Sequence, residues 1–275
     1  MEELFLFLDK LIEKTLLDSS EIDKKLWEIA QRYLGKFPTD DAGKIEYNER
    51  TQTIINQLTQ SLQKELEKSS YKKLASSILL NFDEVLKNNQ AIQKELSAIE
   101  FSKKVLDSLT KEKQLVVNAT TSFLSQSGIN ANVIFPIQKT LLENASFGYT
   151  QETFEKRLKE RILGNKEVAG TIERYLGQIA RDSLYQYDGT INNIVAQEYG
   201  LNAYRYVGTT VNDTRPQCKR WLNKKILKES ELTSEIQWAK KNGSGMIPQT
   251  NKSNFIVYRA GYNCRHRAIP IKIQE

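Results

Sequence analysis

Histidine occurs once in this 275-residue chain, cysteine twice and proline five times. One histidine excludes any mechanism or metal site that takes two imidazoles from a single protomer. Two cysteines, Cys218 and Cys264, are too few for a disulfide scaffold. In a reducing compartment they are expected as free thiols or metal ligands. No apolar run approaches the roughly 18 residues needed to span a bilayer, so no membrane partner is expected. Met1–Leu17 has the length of a signal peptide. However, Glu2 and Glu3 stand where a basic region belongs, and Asp9, Lys10, Glu13 and Lys14 interrupt the apolar residues. A cytoplasmic address is the default expectation. The chain also lacks a Gly-rich phosphate loop, a G-x-S-x-G elbow, H-E-x-x-H and paired C-x-x-C motifs. RNP-type aromatics and helix-turn-helix spacing are missing, so any nucleic-acid contact would be with the backbone, not with sequence.

What is present is mostly helical pattern. Apolar residues make up 39% of the chain and charged residues 27%, and the charges are spread along its length, which suits elongated helices with solvated faces. Helical signals end near Gly35 and Pro38. Ile54, Leu58, Leu62 and Leu66 share a helix face, as do Ile78, Phe82, Val85 and Ile92. Asp40-Asp41 is a candidate cap for the first of these helices, and Ser69-Ser70 a break between them. Gly128-Ile129-Asn130 and the stretch 146–150 read as turns. Thr150 is a candidate N-cap with Glu152 and Glu155 behind it, and Gly164-Asn165 a stop. A longer helix carries Ile172, Tyr175, Leu176, Ile179, Leu184 and Tyr185. Residues 203–208 alternate like a strand, 212–216 form a turn, and 218–222 a short helix. Phe255-Ile256-Val257 and residues 267–271 read as short strands. The expected architecture is mainly α with a small C-terminal α+β module. It divides into a helical arm (1–128), elongated in outline, a helical connector (129–200) and a basic module (201–275).

Charge follows that division. Residues 1–150 sum to −2 and residues 151–275 to +8. Such asymmetry fits a surface for a polyanion or an acidic protein, or simply a soluble basic domain. Lys219, Arg220, Lys224, Lys225, Lys228, Lys240 and Lys241 are the candidate phosphate-facing set; the alternative is a solvated face.

The reactive residues cluster in the same module. His266 lies two positions after Cys264. If the first strand pairs with the last, Asp213 and Cys218 approach Cys264 and His266. Two thiolates, an imidazole and a carboxylate make a four-ligand set compatible with zinc. Two other readings stand beside it. The cysteines can be small buried hydrophobes, with His266 bonded to a backbone carbonyl. Alternatively, Cys264 can be a nucleophile and His266 its base; in a regular strand, though, the two would sit about 7 Å apart, beyond contact unless the chain bends. Asp213-Thr214-Arg215-Pro216 reads as a turn in which Arg215 pairs with a carboxylate or grips a phosphate. Trp221 and Trp238 read as core anchors or stacking platforms.

One ordered series of short motifs carries a family resemblance: Tyr206-Val207-Gly208, Asp213-Thr214-Arg215-Pro216-x-Cys218, Gly261-Tyr262-Asn263-Cys264-Arg265-His266-Arg267, and Pro270. Upstream stand Arg181-Asp182-Ser183-Leu184-Tyr185-Gln186-Tyr187 and Asn192-Asn193. Together they resemble the C-terminal domain of the Mu F-like minor head (head morphogenesis) proteins of tailed phages, over roughly residues 130–275. The resemblance implies a structural protein and no enzyme. It implies a virion component, assembled in the host cytoplasm beside portal, capsid or scaffold proteins, that assists assembly or DNA delivery. It also implies a small sheet that draws the Asp–Arg–Cys and Cys–Arg–His pieces together, with Arg215, Pro216 and Arg265 as structural motif residues. Many members of that family end in Cys-x-Cys; here His266 holds the second position. The competing expectation is an enzyme or toxin-like module using Cys218, Cys264 and His266.

Overall fold

The computed structural model describes residues 1–274. Helices α1 (Glu2–Phe5), α2 (Phe7–Leu16) and α3 (Ser19–Leu34) come first, and α3 stops at Gly35. In α4 (Glu49–Leu66) the stripe Ile54, Leu58, Leu62, Leu66 is buried; in α5 (Ser69–Ser97) Ile78, Phe82, Val85 and Ile92 are buried. Steps of three, four or seven residues keep each set on one side of its helix. Then follow α6 (Lys103–Leu124), α7 (Gln126–Ile129), a π-turn at Asn130–Ile134, α8 (Phe135–Ser146), α9 (Gln151–Leu163) and α10 (Thr171–Glu198). The chain is mainly helical, with a three-stranded antiparallel sheet near its C-terminus. Among the described residues no helix is long and apolar enough to cross a membrane.

Packing sorts the chain into two units: Met1–Glu13, Leu79–Thr120 and Ala180–Glu275 in one, Lys14–Ile78 and Thr121–Ile179 in the other. These are interleaved along the chain and do not follow the consecutive segments 1–128, 129–200 and 201–275. Residues 1–13 and 79–120 pack in the same unit as the basic module. The physical reason is that a change in charge marks a change of surface. Contacts follow apolar faces, and those faces come from distant parts of the chain.

The all-helical unit packs α3, α4, α8 and α9 on one another, with Leu26, Leu58, Leu141 and Leu158 fully buried. Its caps differ in part from expectation. Asn48, not Asp40-Asp41, caps α4 by accepting from the Thr51 N–H at 3.0 Å. Asp40 instead accepts from Ala42 and Lys44 in the turn before it, since an Asp side chain readily closes its own local turn. Thr150 caps α9. Gly128 is a packing residue inside α7 rather than a turn: a Cβ there would lie 2.9 Å from the Tyr175 hydroxyl. The first turn of α10 is capped from far along the chain, by the Asp23 carboxylate, which accepts from Ile172 at 2.8 Å and Glu173 at 3.2 Å. Burial pushes the Asp23 carboxyl up to about 6, against the opposing pull of those two N–H groups.

In the other unit β1 (Ala203–Gly208) is the central strand, between β2 (Ile226–Lys228) and β3 (His266–Ile271). The β1–β3 register runs from Ala203 opposite Ile271 to Gly208 opposite His266. Pro270 sits opposite Tyr204, and its carbonyl accepts from the Gln93 amide at 3.2 Å. Helix α11 (Pro216–Lys224) packs against β1 and β2, and α12 (Leu232–Asn242) packs on α11. Trp221 is fully buried, edge-on to Tyr206 and to Phe255. Trp238 is no core anchor: it is half-buried beneath the Arg220 guanidinium, 4.6 Å from its ring centre. Residues 255–257 form no strand but a single helical turn, α13 (Phe255–Tyr258). One turn buries both Phe255 and Ile256, whereas a strand would point them to opposite faces.

Beneath β3 runs a buried ion pair. The Arg267 guanidinium donates to Asp188 at 2.6 and 3.1 Å, to the Leu4 carbonyl and to the Asn88 side chain. Asn89 donates to the same Asp188 oxygen at 2.9 Å. Arg267 is 1% and Asp188 0% exposed, so only this mutual neutralisation keeps two charges out of water.

Candidate metal centre

Three elements deliver the chemistry. Cys218 comes from the first turn of α11, His266 opens β3, and Cys264 lies in the loop just before it. Their ligand atoms lie within 4.8 Å of one another, and all three residues are buried. Cys264 Sγ is 3.5 Å from His266 Nδ1. A regular strand would have kept them apart. Here Gly261 (φ 110°) and Asn263 (φ 56°) turn the chain, so Cys264 lies outside the strand and folds back on His266. The expected hydrogen bond from His266 to a carbonyl is not made, and its Nε2 is buried without a partner among the described residues.

The surroundings are built to hold that loop. Pro216 occupies the start of α11, and Arg215 just before it donates to the carbonyls of Ala260 and Tyr262 at 2.9 and 2.8 Å. Arg215 therefore grips two neutral carbonyls of the Cys264 loop rather than the carboxylate expected from sequence. Gln217 adds a bond to the Ser244 carbonyl at 2.7 Å. Gly208 leaves room for the imidazole: a Cβ there would meet His266 Cδ2 at 2.8 Å. Tyr206 stacks on the imidazole, and its hydroxyl lies 3.8 Å from both sulfurs.

The two thiols titrate in opposite directions. Cys218 is pushed up by its hydrogen bond to Cys264 and by burial, while Cys264 is held well below the usual thiol range, chiefly by the bond from Cys218 and then by His266. Arg259 adds a positive field at Cys264; it is 2% exposed and bonded to the Tyr185 and Ile256 carbonyls. Negative charge is thus favoured on Cys264.

This donor set fits a metal. Metal–sulfur bonds of about 2.3 Å and metal–nitrogen bonds of about 2.0 Å give tetrahedral edges of about 3.5–3.8 Å. The observed Sγ–Nδ1 separation of 3.5 Å matches such an edge. The cluster Cys218, Cys264 and His266 is therefore a group that can bind a metal ion. Asp213 is not drawn into it. It lies on the exposed turn before α11 and lines a cavity of about 80 Å³ that reaches all three ligands. Arg265 lines the same cavity.

The candidate basic set is not uniform. Arg220 and Lys224 are tied to the buried Glu235, at 2.8 and 3.0 Å, and Lys224 also to Glu231. Glu235 takes a further bond from the Trp221 indole, and these partners, Arg220 foremost, hold its carboxyl down to about 2. Lys240 donates to the Pro248 carbonyl. Lys219, Lys225, Lys228 and Lys241 are exposed.

Sequence reasoning overlooked Tyr206 and Arg259 as parts of the site. Tyr206 was visible as a letter of an alternating strand and of the first motif piece, with no role assigned to it. Arg259 was indistinguishable from the other cations of a basic segment. No family model, no curated protein and no solved structure matches this chain.

Proposed function

We propose that this chain is a minor head protein of a tailed bacteriophage, a structural component of the procapsid and virion beside the portal, with no catalytic role. One observation carries the reading: the scattered motif pieces converge on one centre. Tyr206, Arg215, Cys218, Cys264 and His266 come from three separate stretches of the chain, yet each contacts another of them or the loop that carries Cys264. Their contacts hold a fold together, since the sulfurs and imidazole are buried and Arg215 is spent on backbone carbonyls. That arrangement supports a stapled module over an enzyme or toxin.

The resident metal in this proposal is zinc, held by Cys218, Cys264 and His266 and supplying a structural cross-link. Asp213, the one carboxylate lining the adjacent cavity, is the candidate for the remaining position. The partners are portal and capsid or scaffold proteins. Contact with packaged DNA is through its backbone, by Lys219, Lys225, Lys228 and Lys241, with affinity falling steeply as salt rises.

Mass spectrometry of purified procapsids and virions tests the assignment: the chain is expected in both, and its absence from both would reject the reading. Elemental analysis of the purified protein is expected to give near-stoichiometric zinc that falls in Cys264→Ser and His266→Ala. Zinc retained unchanged by both variants would reject the site.

A further inference from the structure

The Cys218 and Cys264 sulfurs lie within 4.8 Å of one another. The Tyr206 hydroxyl, 3.8 Å from each sulfur, marks how closely the two share one spot. Their backbones are joined independently of any sulfur chemistry. Arg215, at the head of α11, binds the carbonyls of Ala260 and Tyr262 in the loop that carries Cys264. A disulfide requires sulfurs about 2.05 Å apart on backbones already close. With the sulfurs already within 4.8 Å, the bond asks for side-chain rotation on two segments that Arg215 ties together.

We propose that Cys218 and Cys264 are a dithiol that small peroxides oxidise to an intramolecular disulfide whenever no metal holds the sulfurs. The cavity sets the oxidant class. At about 80 Å³ it exceeds the roughly 10–15 Å³ that one water needs and falls far below the roughly 300 Å³ and more of pockets that take drug-sized ligands. Hydrogen peroxide fits; a tripeptide disulfide such as oxidised glutathione does not. In the first step the Cys264 sulfur attacks one peroxide oxygen and the O–O bond breaks. The products are a sulfenic acid on Cys264 and one water, which carries off the thiol proton. In the second, the Cys218 sulfur attacks the Cys264 sulfur, the S–S bond forms and the S–O bond breaks. The hydroxyl leaves as a second water with the Cys218 proton. Two thiols lose two electrons, and one peroxide gains them. The inference shares its sulfurs with the zinc reading, because a metal and a disulfide exclude each other there.

The test treats the full chain with hydrogen peroxide or oxidised glutathione, metal-free and zinc-loaded, and follows intact mass, thiol count in denaturant and a non-reducing peptide map. In the metal-free chain, peroxide is expected to remove two hydrogens from the mass and join the Cys218 and Cys264 peptides. Oxidised glutathione is expected to be slower by at least about tenfold, since its attack needs access that the cavity denies. Cys218→Ser is expected to stop at a sulfenic acid trapped by a diketone probe, which the wild type forms too briefly to trap. Sulfinic acid, intermolecular dimers or no reaction in the metal-free wild type would each overturn the proposal, as would equal probe trapping in wild type and variant. A disulfide that forms equally fast with zinc present supports the dithiol and counts against the metal.

Discussion

Two buried polar clusters lie in the same unit, and they solve the problem of burial differently. At Arg267–Asp188 opposite charges are already paired, and every guanidinium nitrogen has a partner. At Cys218–Cys264–His266 the donors crowd within 4.8 Å of one another, face a small cavity and leave His266 Nε2 unbonded. The first cluster is neutralised by this chain alone, although Asp188 Oδ2 is left without a hydrogen-bond partner among the described residues. The second is a set of donors whose occupant can change. A closed ion pair therefore reads as architecture, and an open soft-ligand set as a place for exchange.

The contrast is broken or sharpened by substitution. The largest effect is expected at the closed cluster. Asp188→Asn leaves Arg267 buried without its counter-charge and should cost about 3–5 kcal/mol in urea unfolding. The double variant Arg267→Met/Asp188→Leu should recover most of that loss. A double variant as unstable as the single one would mean the pair is not self-contained. At the open cluster the effect should depend on the occupant. Zinc at a hundred times its dissociation constant should stabilise the wild type by roughly 3 kcal/mol, and Cys264→Ser and His266→Ala should abolish the gain. An equal gain in those variants would place the metal elsewhere.

Glu235 is a third, half-way case: buried at 4% exposure, with cations reaching it from the surface. Its carboxyl lies near 2 against an ordinary 4.5, so its stabilisation is present above about pH 4.5 and is lost as pH falls toward 2. Glu235→Gln should cost roughly 1–2 kcal/mol at neutral pH, with acid unfolding by circular dichroism starting from a less stable protein and sloping less below pH 4.5. The smallest effect belongs to Asp23. Its carboxyl rises from 3.8 to about 6, so stability should decline as pH climbs across that interval. Asp23→Asn, still a good cap, should change neutral-pH stability by less than about 1 kcal/mol and flatten that decline.

Local signals in the sequence survived folding where one residue decides the outcome. Gly35 follows the end of α3, Thr150 caps the start of α9, Gly164 ends α9 at a φ of 78°, and β1 spans the alternating residues 203–208. The α4 and α5 stripes were legible because helical period and burial coincide. What was illegible depended on distant partners. The short β2 strand exists because it pairs with β1. The 255–258 turn exists because two adjacent apolar residues must both reach the core. At the site, the sequence brought Cys218, Cys264 and His266 into one neighbourhood. The 3.5 Å contact between Cys264 and His266 depended on positive φ angles at Gly261 and Asn263, which residue type alone did not announce. Asp188 and Arg267 looked like ordinary members of a helix and a basic strand until the fold placed them together.

Pro270 has a bearing on how copies of this chain meet. It offers no N–H, its carbonyl is occupied by Gln93, and β3 is an outer strand of the sheet. The opposite outer strand, β2, is three residues long. A neighbouring chain therefore finds no free ladder to extend on the Pro270 side and only a stub on the other. The two edges of the sheet are thus poor templates for a strand from a second copy.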